Sequence, residues 1–460
     1  MTTIEDDAIQ RGWRALLPAV VLGMAAFLTQ FDVTAVVVAT PAIASDLGFG
    51  VAGYAWVMDA YSLAFTVTLL AAGALGDRYG RRLIFVAGNG VFLIASLACG
   101  FAIDGVTLWA ARAAQGVGSA FVITGGIALL ASTYSAPKDR VGAFALMGVI
   151  SGVAMAIGPT LGGLIASWAG WRWIFLINVP FCIVAAFGAQ RLVGETCDPA
   201  GRPLDWIGVA LLTFALGLAI ESLLAGRVAL LLCSGLAASA ALFVVFAIQQ
   251  RRRAVPIFDP VVLGQPVMAG IVTVLLAVSI GYWAVLVYLP MFLATAAGWT
   301  GATVGAILLS ATLPMLVLPP LGARLVARWG WRRLFVTAMA AVLVGDLALS
   351  FAATCAAASP MLLFATFAGM VMIGLGAALA HPQLSGAVVA LAPPEQLGMA
   401  SAITVIMRQG GFAIGIALMG ALLGAPGDAS AYAASFLVAA LAAAMGLGAA
   451  QLLPPKSDLQ

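Results

Sequence analysis

The sequence predicts an all-α polytopic membrane protein: two six-helix bundles with two further helices inserted between them, fourteen spans in all, and both termini cytosolic. Three observations predict it. The first is composition. Of 460 residues, 63% are hydrophobic and 8% are Asp, Glu, Lys or Arg, where roughly 25% charged is usual in soluble proteins. Mean hydropathy is +1.11, which is more apolar surface than a soluble globule can hide. The second is a series of apolar runs, each long enough at about 20 residues to cross a bilayer core about 30 Å thick. They lack the period-two alternation of a β-barrel. The third is the placing of the basic residues, which fall in alternate loops.

Taken in order, the spans lie at about 15–38, 53–75, 83–102, 106–132, 142–167, 173–192, 205–224, 228–249, 268–296, 302–322, 334–356, 361–391, 398–424 and 430–453. They are numbered helices 1 to 14 here. Gly, Pro and charged residues mark the breaks between them. The mixed-charge stretch from Met1 to Arg14 has no cleavage site after a short apolar core, so it reads as a cytosolic tail. With that tail inside, seventeen of the 21 Lys and Arg fall in inner loops and tails, Arg112 and Arg408 fall inside spans, and Arg172 and Arg227 fall outside. The positive-inside rule then fixes the orientation. The net charge of +3, with no basic run interleaved with aromatics, excludes a nucleic-acid binder. Five scattered Cys and the single His381 indicate neither a disulfide framework nor a multi-His metal site.

An internal duplication organises the spans. Gly73-Ala-Leu-Gly-Asp-Arg-Tyr-Gly-Arg-Arg82 follows helix 2, and Ala323-Arg-Leu-Val-Ala-Arg-Trp-Gly-Trp-Arg332 follows helix 10. Ala136-Pro-Lys-Asp-Arg-Val-Gly142 precedes helix 5, and Ala392-Pro-Pro-Glu-Gln-Leu-Gly398 precedes helix 13. Both pairs are eight helices apart, an even spacing that makes the halves parallel repeats. The expected division is an N-terminal bundle over 1–194, a two-helix insert over 195–260 and a C-terminal bundle over 261–460.

These repeats resemble those of the major facilitator superfamily, whose loop 2–3 pattern Gly-x-Leu-x-Asp-Arg-x-Gly-Arg-Arg the first segment matches. Further residues resemble the fourteen-helix drug:proton antiporters of that superfamily. They are Asp32-Val-Thr34 with Pro41, Trp56 and Tyr61, Arg112 with Gln115 and Gly116, Gly158-Pro159 with Gly162 and Gly163, Trp171 through Asn178 to Pro180, and Arg408-Gln409. The chain departs from the subfamily pattern at Val37 and Ala294. The resemblance implies a conformational latch in loop 2–3, made of Gly73, Asp77, Arg78, Gly80 and Arg81. There Asp77 docks at the start of helix 13 near Gly398, and Ala327 leaves the second half without a latch. It also implies that the Gly-Pro interface on helix 5 marks an exporter rather than an importer.

An acidic group inside a span is costly and therefore a functional candidate. At 1.5 Å per residue, Asp32, Asp59 and Arg112 fall roughly 9–13 Å below the outer face of the first bundle. Asp32 and Arg112 are expected to interact, and a carboxyl weighed between burial and a nearby cation can take up and release a proton. Structural hydrogen bonding is the plainer alternative for both. Asp346 on helix 11 is a possible second proton site, or a partner of a nearby Ser or Thr. Glu221 reads as a surface or snorkelling group, and His381 as a packed histidine beside Pro382 or a relay. Arg408 would neutralise Asp346, meet an anionic substrate, or serve the structure. Phe31, Trp56, Tyr61, Gln115, Tyr282, Trp283, Met291, Arg408 and Gln409 are candidates to line a substrate cavity, aromatic faces suiting organic cations and Met adapting to irregular shapes.

The expected function is proton-coupled export of hydrophobic or cationic organic compounds from a bacterial-type inner membrane. Export of one endogenous metabolite is an alternative within the fold. A membrane enzyme or a transporter-like sensor is an alternative of another class, and the single His and dispersed acids argue against an enzyme. No cofactor is expected beyond the proton gradient. The expected partners are substrate, protons and lipid, acting on a monomer.

Overall fold

The computed structural model describes residues 2–134, 136–197, 205–225, 229–253, 265–299, 302–355, 359–391, 397–423 and 431–455. Among them every regular element is helical. Eleven helices are long and apolar enough to cross a membrane, or up to thirteen if each of two bent pairs counts as one span. In chain order they are α1 (Thr2–Leu47), α2 (Val51–Tyr79), α3 (Arg81–Gly100), α4 (Gly105–Thr133), α5 (Pro137–Trp168), α6 (Arg172–Leu192), α7 (Trp206–Ala225) and α8 (Ala229–Arg251). There follow α9 (Pro266–Ala296), α10 (Ala302–Val317, continued by Pro319–Trp329), α11 (Trp331–Ala352), α12 (Pro360–Leu391), α13 (Leu397–Leu422) and α14 (Ala431–Ala449). The expected limit between insert and second bundle, 260/261, and the basic residues Arg202, Arg227 and Lys456 lie outside the described residues.

Three elements differ from expectation. Helix 1, expected to end near residue 38, continues to Leu47 with Pro41 inside it. A proline removes a single ladder bond, and the helix stops only where Gly48 adopts φ +70°. The second is α10, which bends by 56° before Pro319, where a ring replaces the backbone donor. The third is α9, whose ladder is interrupted by a π-helical turn, Ser279–Ala284, a distortion that often marks a functional position.

The duplication is visible in the packing. In the first half α1 packs on α5 and α6, α2 on α4, and α3 on α4 and α6. Eight helices later α9 packs on α13 and α14, α10 on α12, and α11 on α12 and α14. The halves meet along two seams, α2 with α13 and α5 with α10, which are the same contact with the halves exchanged. From the insert, α7 lies against α2 and α13, while α8 packs on α7. Only 11% of the apolar window of α8 is buried, so its remaining surface faces lipid. Outward-facing Phe214, Phe364 and Met445 give the other helices the same apolar exterior.

An up-and-down path puts Arg78, Arg81 and Arg82, Arg191, Arg251 to Arg253, and Arg324 to Arg333 at helix ends on one side, here termed the basic face. Two contacts shape it. The carboxylate of Glu195, just after α6, accepts from the N–H groups of Arg82 (2.9 Å) and Leu83 (3.1 Å) and so caps α3. Asp205, ahead of α7, accepts from Gly208 N–H (3.0 Å), Gln249 (2.9 Å), Gln250 (2.7 Å) and Arg253 (2.9 Å). Burial pushes its carboxyl up, but these donors and the Arg253 charge outweigh it and hold the group below its usual range.

Candidate functional site

Asp32 on α1 is fully buried, and Arg112 of α4 donates to it directly through Nη1. The other carboxylate oxygen accepts from Asn178 Nδ2 (3.0 Å) and Gln115 Nε2 (3.2 Å). Arg112 is held in turn: its Nε donates to the Val57 carbonyl at 3.0 Å and its Nη1 to Gln115 Oε1 at 2.8 Å. The guanidinium lies 4.5 Å from the ring centroid of Tyr61, a cation–π contact. Tyr61 donates its hydroxyl to Ser119 at 2.7 Å, and Gln115 donates to Ser96 at 2.8 Å. Four helices, α1, α2, α4 and α6, thus converge on one carboxylate. A buried charge is tolerable only with such pairing.

Asp59 and Asp346 are equally buried, yet neither oxygen of either has a hydrogen-bond partner among the described residues. Asp59 therefore does not join the Asp32–Arg112 cluster. Asp346 faces the π-helical turn: a Cβ placed on Gly281 would come within 2.9 Å of its Oδ2. The hydroxyls of Ser279 and Tyr282, in the same turn, also lack partners. Among the described residues no Ser or Thr bonds Asp346, and Arg408 makes no ion pair with it.

Between the halves lies a cavity of roughly 220 Å³. Gln30, Thr34, Tyr61, Ser62 and Phe65 line it from the first half, and Trp283, His381, Arg408, Gln409 and Phe412 from the second. It lies between mid-membrane and the basic face, as the lining by Ala26, Ile127 and Met147 shows. Nearer the other face the halves touch. Tyr54 donates to the Val287 carbonyl at 2.7 Å and stacks on Tyr288 at 5.8 Å. Thr312 donates to the Ala156 carbonyl at 3.1 Å.

Among the residues expected to line a cavity, Tyr61, Trp283, Arg408 and Gln409 do so. Gln115 sits in the Asp32 cluster instead. Phe31 is buried against Phe27, with ring centroids 5.8 Å apart. Trp56 packs on Ile220, Ala413 and Ala417 at the insert, and Met291 packs into the main core. Glu221 is exposed on α7. The sequence reading missed Asn178, although it belongs to the quoted Trp171–Pro180 segment; a lone Asn inside a span was the available signal. It also missed His381 as lining beside Trp283, with ring centroids 6.0 Å apart.

The helix 5 glycines lie where α5 meets α1. A side chain at Gly158 would collide with Thr34, and one at Gly162 would come 2.6 Å from the Ala35 Cα. Gly163 is buried beside them. Across the seam, a Cβ on Gly305 would come 2.9 Å from the Pro159 carbonyl oxygen. In loop 2–3, Gly73 lies near Thr124, with 3.4 Å between a built Cβ and that methyl, and Gly80 adopts φ +119°, which a side chain would strain. Asp77 accepts from Arg81 at 2.8 Å, and Arg78 lies 5.4 Å from the Tyr79 ring. The side chains around Gly398, the expected docking point of Asp77, lie outside the described residues.

The chain is similar to transporters throughout its length. The multidrug resistance protein Stp of Mycobacterium tuberculosis is 29% identical over 418 residues, 89% of this chain and 76% of that protein. The methylenomycin A resistance protein of Streptomyces coelicolor is 30% identical, covering 91% of this chain and 88% of its own length. The puromycin resistance protein pur8 of Streptomyces alboniger is 31% identical, covering 90% and 83%. A crystal structure of peptide transporter POT in complex with sulfate superposes with a TM-score of 0.70 at 13% identity, covering 95% of each chain. That of nucleoside transporter NupG gives 0.68 at 13%, covering 94% and 99%, which speaks for the fold alone. The family model described as Major Facilitator Superfamily matches residues 22–275 and 271–459. A match that doubles along the chain just as the packing does makes this protein a member of the Major Facilitator Superfamily.

Proposed function

We propose that the chain exports drug-like hydrophobic organic compounds across the bacterial plasma membrane in exchange for protons. The resistance proteins it is similar to support export. The observation that carries the coupling is the placing of Asp32: fully buried, bonded to Arg112, and one side chain behind the cavity wall. Tyr61 is that wall, with the cavity on one side and the Arg112 guanidinium on the other. A proton on Asp32 would cancel the charge that anchors Arg112, freeing the guanidinium to shift against Tyr61. Substrate pressing on Tyr61 would act on the same pair from the cavity side. Competition between proton and substrate is what exchange transport requires, because each ligand must favour a different state.

With the basic face cytosolic, the observed conformation receives substrate from the cytosol while the outer seam is closed. Asp77, held by Arg81 in this conformation, would move to the start of α13 when the inner side closes. In proteoliposomes, wild-type efflux should follow an imposed pH difference, and Asp32→Asn should remove that dependence. Transport at an equal rate after the gradient is collapsed would refute the exchange. Asp77→Asn should hold the cavity open to cytosolic thiol reagents; unchanged labelling would refute the latch.

A further inference from the structure

The cavity wall carries an unbalanced positive charge. Arg408, on α13, lines it, and among the described residues no carboxylate lies within ion-pairing distance of its guanidinium, though salt bridges are resolved elsewhere. None of the cavity-lining residues is acidic. Asp32 is committed to Arg112, and Asp59 and Asp346 lie outside the lining. The other titratable groups on the wall are His381 and Tyr61. Beside Arg408 the wall has polar atoms that lack a hydrogen-bond partner among the described residues, the donor Trp283 Nε1 and His381 Nε2, and Gln409 and Gln30 add side-chain amides. Phe412 lies against Trp283, ring centroids 6.4 Å apart, which leaves an aromatic floor next to the cation.

An unpaired guanidinium in a membrane interior is expensive and persists where it has a task. Its planar fork matches a carboxylate better than any other common group. An organic ammonium would meet Arg408 as a like charge, with no acid to offset it. We propose that this cavity binds apolar aromatic compounds that bear a carboxylate or a similar anionic group. The anion is held by Arg408 with help from Gln409, and the apolar body lies on Trp283 and Phe412. This assignment of substrate class rests on the proposed export function and narrows it.

The test uses the full chain in phosphatidylcholine nanodiscs, without a pH gradient, and equilibrium dialysis of three radiolabelled probes of one shape: 1-naphthaleneacetate, its primary amide and 1-naphthylethylammonium. The acid should bind at least about tenfold more tightly than the ammonium probe. Arg408→Gln should weaken the acid about tenfold or more and the amide less than about threefold, while Arg408→Lys should keep part of the preference. An ammonium probe that binds as tightly as the acid, an equal loss of acid and amide, or binding of none of the three would overturn the proposal. The wild-type ranking decides the matter even if Arg408→Gln fails to fold. Because no gradient is applied, a failure of proton coupling leaves the ranking intact. A failed ranking would likewise leave gradient-driven efflux of a neutral compound intact.

Discussion

Asp32 in the first half and Asp346 in the second are equally buried, and the halves treat them in opposite ways. Asp32 accepts from three side chains brought in by two other helices, among them a guanidinium. Among the described residues Asp346 accepts from none, and it faces a distorted helical turn whose own hydroxyls are unmet. Duplication therefore copied the scaffold without copying the polar chemistry. The first half holds its acid as a finished ion pair that a proton must break. The second holds an acid that a proton or a rearranged neighbour would complete.

The largest test of that contrast removes the cation. Arg112→Gln leaves a buried carboxylate uncompensated, which costs about 3–5 kcal/mol. It should lower the melting temperature more than any other substitution here and abolish transport. Asp32→Asn added to Arg112→Gln should recover most of the melting temperature but not the transport. A single variant that melts like wild type would break the comparison.

Next comes the seat of Asp32. Gly158→Ala forces a methyl into Thr34, two residues from the acid, and overpacking of that kind costs about 1–3 kcal/mol. Gradient-driven transport should fall, and Thr34→Ala in the same chain should restore part of it by removing the hydroxyl that the methyl meets first. Loss that the second substitution does not relieve would point to a role for Gly158 other than close packing.

Asp346→Asn removes no observed bond and should change stability by less than about 1 kcal/mol, while flattening the dependence of transport on pH. A loss of stability equal to that of Arg112→Gln would mean that Asp346 has a partner as strong as Asp32 has.

Asp205 serves as a third acid, satisfied but close to water. Its lowered folded value means that its contribution to stability is complete above the unfolded carboxylate value of about 3.9. That contribution is lost only as pH falls through the still lower folded value. Thermal unfolding of wild type and Asp205→Asn should therefore differ by a constant amount from pH 7 to 5 and converge under stronger acid. A difference that shrinks already between pH 7 and 5 would contradict the lowered value.

The helical membrane fold and the doubling were legible because hydropathy and repeated basic loops record them, although eleven to thirteen helices among the described residues, not the expected fourteen, are long and apolar enough to cross a membrane. Depth counting along helices 1 and 4 was enough to put Asp32 and Arg112 at one level. It gave Asp59 nearly the same depth without showing that Asp59 points elsewhere, because rotation about a helix axis leaves no trace in an all-apolar run. For the same reason Asn178 went unread, as did the separation of Arg408 from Asp346. Trp56 and Met291 were plausible linings by residue type and proved to be packing by orientation. The π-helical turn of α9 has no proline or polar cluster in Ser279–Ala284 to announce it.

At Gly162 the backbone of α5 rests on that of α1, and one turn earlier the Pro159 carbonyl abuts Gly305 of the other half. With main chain against main chain, there is no side chain to bend and take up slack. The acid-bearing helix and the gating seam are thus geared together, with almost no backlash. Substitutions that insert play there should yield a leaky machine, one that lets protons through without carrying cargo the other way.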